Sequence, residues 1–240
     1  MKLTAFKALT FDCYGTLIDW ERGLLAAFAP WQKRTGAALN DEALLALFGE
    51  IESAVQVEQP RMLYRDTVAL SLRRIGEALG APASEAEAMA FGAAIGRWPA
   101  FPDSAEALAY LKRHYKLVVI SNVDRASFQG SNAQLRVVFD AVVTAEDVGS
   151  YKPALGHFHR ALDILSGMDV VKSEVLHVAQ SLFHDHVPAK QLGLSSIWVD
   201  RRAAKGGTGG ATRMPAVPVR PDLKLPSLAA LVERHRAEAI

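Results

Sequence analysis

Apolar residues along this chain follow two rhythms. Five short runs are apolar and β-branched with little interruption: "FKALTF" (6–11), "KLVVIS" (116–121), "AVVTA" (141–145), "VLHVA" (175–179) and "SSIWVD" (195–200). Such runs predict strands buried on both faces. Between them, apolar positions recur at helical spacing over 103–114, 126–137, 154–167 and 186–193. Asp103 and Ser104, after Pro102, suit a helix start. Strands alternating with helices predict an α/β fold with a doubly wound, Rossmann-like parallel sheet.

The stretch from 20 to 98 has only the helical rhythm, in four segments at 21–35, 41–57, 62–79 and 84–96. Pro60, "GAP" (80–82) and "WPAFP" (98–102) separate or end them. This predicts a helical cap, 20–98, inserted after the first strand of a core made from 1–19 plus 99–240. The Gly/Pro-rich "AAKGGTGGATRMPAVPVRP" (203–221) reads as a loop leading to a C-terminal helix at 226–238. It lacks the spacing of a phosphate loop.

Half of the 240 residues are hydrophobic and the formal net charge is +1, as in a soluble globular protein. No basic run stands out, which argues against nucleic acid as a partner. No stretch approaches the roughly 20 apolar residues of a membrane span. Lys7 and Asp12 interrupt the N-terminal apolar residues, so no secretory signal is expected there. The one cysteine, Cys13, forms no internal disulfide, and a reducing, cytoplasmic location is the expectation. Apolar faces on the cap helices leave a homodimer open.

In an open parallel sheet, ligands bind at the carboxyl ends of the strands. Asp12 and Thr16 follow the first predicted strand there. Ser121 and Asn122 follow the second, and Lys152 in "SYKP" lies just beyond the third. Gln180, Ser181, His184 and Asp185 follow the fourth. Each residue alone has a plain structural reading as a turn, a cap or a solvated charge. Together they put two carboxylates, an ammonium and several neutral polar groups at one edge.

"FDCYGTLID", "ISNVD", "SYKP" and "HDHVPAKQLGL" resemble, in order, the four signature motifs of the haloacid dehalogenase superfamily. The first motif is most similar to that of the type II 2-haloacid dehalogenases. The resemblance implies that Asp12 is a nucleophile, kept ionised by Lys152 and bonded by Thr16, with Asp185 near the hydrolytic water. It implies that Ser121 and Asn122 bind the anionic end of a small 2-haloacid. Tyr14 stands where the superfamily's phosphatases usually carry a second aspartate, the acid that protonates a leaving alcohol. A halide leaves as a stable anion and needs no such proton. The expected reaction is hydrolytic dehalogenation with no cofactor. The alternatives are a Mg²⁺-dependent small-molecule phosphatase and a non-catalytic binding protein. Gln180, Ser181, His184 and Trp20 complete the expected substrate pocket.

The chain departs from the type II pattern in places. Phe158 stands where those enzymes have a tyrosine. "AQSLFHD" replaces the usual serine-serine-asparagine run and carries one extra residue before Asp185. Arg61 and Arg65 are the candidates for the cap arginine that holds the halide, and surface positions suit both. The H-x-H pairs His157/His159 and His184/His186 lack a third ligand at a recognisable spacing. Strand alternation turns Cys13 away from the site, as a buried residue.

Overall fold

The computed structural model describes residues 1–203 and 210–239 of the protein. Among these, six strands form one all-parallel sheet: β1 (Ala8–Phe11), β2 (Lys116–Ser121), β3 (Ala141–Thr144), β4 (Val175–Ala179), β5 (Ser195–Val199) and β6 (Leu223–Leu225). Their order is β3-β2-β1-β4-β5-β6. Ala8 of the central β1 pairs with Lys116 on one side and Val175 on the other. The strand order therefore reverses at β1, and the crevice of such a sheet opens beyond the carboxyl ends there.

Helices α1 (Trp20–Thr35), α2 (Asp41–Glu58), α3 (Tyr64–Ala78) and α4 (Glu85–Gly92) follow β1. The others are α5 (Ser104–Leu111), α6 (Arg125–Leu135), α7 (Ala145–Val148), α8 (Gly156–Ser166), α9 (Val187–Gln191) and α10 (Leu228–Glu238). Alternation along the strands divides the core between the two sheet faces. Leu9, Phe11, Leu117 and Val119 pack with Leu108 of α5, Leu231 of α10 and the apolar faces of α1–α4. Ala8, Val118, Ile120 and Val143 pack with Phe158, Ala161 and Leu165 of α8. This is the predicted doubly wound α/β fold.

The helices after β1 start where their sequences offer caps. Asp19, Asn40 and Ser84 accept the backbone N–H of Arg22, Ala43 and Glu87, each satisfying a donor that the first turn leaves open. Among the described residues, no helix is long and apolar enough to cross a membrane.

Several expected boundaries move. The third strand ends at Thr144, whose side chain caps α7 in a reciprocal box with Asp147. The helix expected over 186–193 is preceded by a π-turn, Leu182–His186. A π-turn absorbs one extra residue, and the extra residue before Asp185 is absorbed there. Asp103 occupies the start of α5 without capping it. Its carboxylate instead pairs with Arg201 at 2.8 Å and accepts the N–H groups of Leu228 and Ala229 at the start of α10. Strand β6, three residues long, was not expected; it carries no periodicity that a pattern can detect. Residues 204–209 of the loop expected over 203–221 lie outside the described residues.

Gly23 lets α1 approach Trp98. A Cβ at Gly23 would lie 2.2 Å from Trp98 Cγ, and the Trp98 ring packs edge-on against Tyr14 at 5.6 Å. Gly23→Ala should therefore lower stability by about 1–3 kcal/mol through overpacking, despite the better helix former. Urea denaturation checks this; an unchanged midpoint would mean that Trp98 has another seat.

Candidate active site

The site forms because β1 ends at the sheet's switch point. Asp12 N donates to Val178 O of β4 at 3.1 Å, so the sheet holds the backbone of Asp12 itself. The chain then turns sharply. Leu17 N and Ile18 N both bond Cys13 O, and Gly15 takes a φ of 90°, a left-handed value that costs glycine little. The turn returns Thr16 beneath Asp12. Thr16 Oγ1 accepts Gln180 N at 2.9 Å, which leaves its proton for Asp12 Oδ2 at 2.6 Å. Arg201 grips Thr16 O through Nε and a terminal nitrogen, at 3.1 and 2.8 Å, while Asp103 balances its charge.

Lys152 closes the arrangement. Its ammonium donates to Asp12 Oδ1 at 2.9 Å, Asp185 Oδ1 at 2.6 Å and Ile120 O at 3.2 Å. Asp12, Lys152 and Asp185 are 6%, 2% and 0% exposed. Asn122 positions the lysine: its Oδ1 accepts Lys152 N and its Nδ2 donates to Lys152 O. Asp185 is held from the far side by His177 Nε2 at 3.3 Å, and His177 Nδ1 meets Thr10 Oγ1 at 2.9 Å.

Burial pushes the Asp12 carboxyl up from its ordinary range, against the pull of Lys152, and the negative Asp185 adds to the rise. Burial acts on Asp185 too, but Lys152 and His177 outweigh it and hold that carboxyl well below the usual carboxylate range. Burial disfavours the charged Lys152, and its two carboxylates reverse this and raise it. Two anions thus share one fixed cation in a dry pocket.

These residues border a cavity of about 50 Å³. One water takes up ~10–15 Å³ on that measure, so the space suits a ligand of a few heavy atoms. Its walls include every expected site residue but one: Asp12, Tyr14, Trp20, Ser121, Asn122, Lys152, Gln180, Ser181, His184 and Asp185. Thr16 lies under the floor through its bond to Asp12. The expected roles of some residues change. Both ends of the Asn122 amide are occupied by the Lys152 backbone, and Ser181 Oγ accepts His184 N at 3.0 Å. Ser121 Oγ and Asp185 Oδ2 are buried and have no partner among the described residues, so they are groups left for a ligand or water.

Arg61 and Arg65 do not border the cavity; Arg65 lies beside Asp66, at 3.8 Å. Phe158 is buried against the His177 ring. Burial lowers His184 and His186 to about 4, so both are neutral at pH 7. His186 is bonded to Ser196 and Ala179, and His157 to Ser121 O. Cys13 is fully buried in the core. Sequence reasoning missed Glu52, Tyr64 and Thr212 in the cavity wall. A signal existed for Glu52: it falls on the α2 stripe of Leu45, Phe48 and Val55, where a carboxylate is out of place.

A model of the haloacid dehalogenase-like hydrolase family matches residues 6–185. A curated relative, "Haloacid dehalogenase-like hydrolase domain-containing protein 3" of Xenopus laevis, is 35% identical over 101 residues. That match spans 41% of this chain and 40% of the relative. Among solved structures, the L-2-haloacid dehalogenase of Xanthobacter autotrophicus is similar with a TM-score of 0.78 and 24% identity, over 96% of this chain and 98% of that one. A defluorinating L-2-haloacid dehalogenase gives 0.79 at 18% identity, covering 96% and 95%. A magnesium-bound HAD-hydrolase of Bacillus subtilis gives 0.75 at 15%, covering 96% and 99%. At these identities the likeness shows the fold.

Removing Lys152 should expose how the site is balanced. Lys152→Met leaves two buried carboxylates without their cation, at a cost of ~3–5 kcal/mol near neutral pH. The folded variant would hold protons on these groups that the unfolded chain releases, so its stability should fall as pH rises. Chemical denaturation at pH 5 and pH 8 should show the larger loss at pH 8. An equal loss at both would refute the charge argument.

Proposed function

The chain belongs to the haloacid dehalogenase-like hydrolases, and on that premise we propose that it removes halide from short 2-haloacids through an ester to Asp12. The carboxylate of Asp12 attacks the halogen-bearing carbon from the rear, and the halogen leaves with the bonding pair. Water then adds to the Asp12 carboxyl carbon. Asp185 Oδ2, which has no other partner among the described residues, takes the water's proton and returns it to the departing 2-hydroxyacid oxygen. Lys152 stabilises negative charge on the Asp12 oxygens in both steps. The substrate carbon is attacked once, so its configuration inverts. Ser121 Oγ is free to donate to the substrate carboxylate.

The observation that carries this reading is at position 14. The Tyr14 hydroxyl is bonded to Ser131 Oγ at 2.9 Å, and burial raises its pKa well above 10. The residue two places after the nucleophile therefore offers no acidic proton. General acid catalysis is typically worth roughly 10²–10⁴-fold; an alcohol leaving group needs it and a halide does not. The small cavity and the similar fold of the Xanthobacter enzyme, one structure of which has chloropropionic acid covalently bound, support the same reading. The single cysteine is compatible with a cytoplasmic enzyme.

A Mg²⁺-dependent phosphatase is the second reading. Asp185 Oδ2, without a partner, would hold the ion together with Asp12 and the Tyr14 carbonyl, and the ion would supply charge to a phosphoryl group. The lack of an acid at position 14 weighs against it.

Halide release from chloroacetate and phosphate release from an aryl phosphate, each with and without EDTA, separate the two. We expect halide release that EDTA leaves unchanged; EDTA-sensitive phosphate release would establish the phosphatase instead. Tyr14→Asp should lower the kcat/KM for chloroacetate by ~10²-fold or more, because a second anion repels the substrate and raises Asp12 further. Tyr14→Phe should lose far less. Equal activity in both variants would remove position 14 from the working site.

A further inference from the structure

The cavity has a charge problem that its catalytic groups do not solve. Asp12 and Asp185 face one ammonium, so the site carries an excess anion before a ligand enters. Among the described residues, Lys152 is the only lysine or arginine in the cavity wall, and its bonds are taken. Glu52 adds a third carboxyl from α2. It is 5% exposed and accepts a hydrogen bond from Gln56 Nε2 at Oε1. Tyr64 of α3 bonds it as well.

We propose that Glu52 is a specificity-determining residue: as a neutral acid it lets the site accept an anionic substrate, and on ionising it closes the site to such substrates. The inference rests on the haloacid reading above. A neutral Glu52 adds no charge opposite Asp12 and keeps a proton for hydrogen bonding. An ionised one would leave three carboxylates around one cation, and a carboxylate substrate would make a fourth.

The surroundings favour the neutral form. Burial raises Glu52 to about 8, and the Tyr64 bond offsets only part of this. The other titratable groups facing the cavity are Asp12, Tyr14, Tyr64, Lys152, His184 and Asp185. Burial raises Tyr14 and Tyr64 well above 10. Lys152 is raised by its carboxylates, and His184 is neutral above about 4. Asp185 stays ionised. Tyr151, which contacts Tyr64, is also raised by burial. Arg213 stacks over Phe183, and its positive charge helps to lower His184. Burial raises Asp12 as well, and Glu52→Gln separates the two carboxyls, because a transition of Asp12 would persist in the variant.

The test compares chloroacetate with the neutral chloroacetamide from pH 6 to 9, in the wild type and in Glu52→Gln. If only the neutral form admits the anion, apparent affinity scales with the neutral fraction. KM for chloroacetate should then rise about tenfold between pH 7 and pH 9, with kcat following a different profile. KM for chloroacetamide should not rise with it. In Glu52→Gln the rise for chloroacetate should vanish. Binding of the unreactive propionate, followed by calorimetry over the same range, needs no turnover. Propionate affinity that falls above pH 8 in the wild type alone, without halide release from any substrate, would sink the dehalogenase reading and keep the role of Glu52. The same pH dependence in both proteins, or no propionate binding at pH 6 in either, would overturn the role of Glu52.

Discussion

The rest of the site depends on one buried ammonium. Lys152 Nζ lies between Asp12 and Asp185, and neither carboxylate would keep its charge in so dry a place without it. The desolvation cost of such a cluster is high and is met only when the geometry is fixed and other hydrogen bonds are satisfied. Much of the surrounding structure serves that end. Asn122 clamps the lysine backbone from β2, His177 backs Asp185 from β4, and Thr16 meets the free oxygen of Asp12. The parallel sheet brings these residues together because their strands are neighbours at the switch point.

Much of this was legible in the sequence. Five of the six strands announce themselves as continuous apolar runs, because a strand buried on both faces has no polar alternation. The helices after β1 carry their caps at Asp19, Asn40 and Ser84. The motif residues sit at strand ends, so predicting the strands also placed Asp12, Ser121 and Asp185 on one edge. What escaped was set by tertiary context. Asp103 looks like a cap for α5, yet Arg201 and the start of α10 take its carboxylate. Asn122 looks like a ligand for substrate, yet the Lys152 backbone takes both ends of its amide. Strand β6 has three residues and gains its place by pairing with β5.

The helical layer contributes what the strand-end motifs do not contain. Trp20 from α1, Glu52 from α2 and Tyr64 from α3 face the cavity. Their types make the pocket small, aromatic and poor in cations. Tyr14 joins them from below, through ring contacts with Tyr64 and Trp98. Asp12 and the groups bonded to it therefore come from the strand ends, and Trp20, Glu52 and Tyr64 in the cavity wall come from the helices.

The central claim is that Asp12 forms a covalent bond to the substrate and that water then attacks the Asp12 carboxyl carbon. A single turnover in ¹⁸O-water, with enzyme in excess over chloroacetate, tests it most directly. The label should appear in the Asp12 side chain, located by mass spectrometry of the peptide that contains it, and the glycolate formed should be unlabelled. Label found in the glycolate, with none in Asp12, would contradict the account.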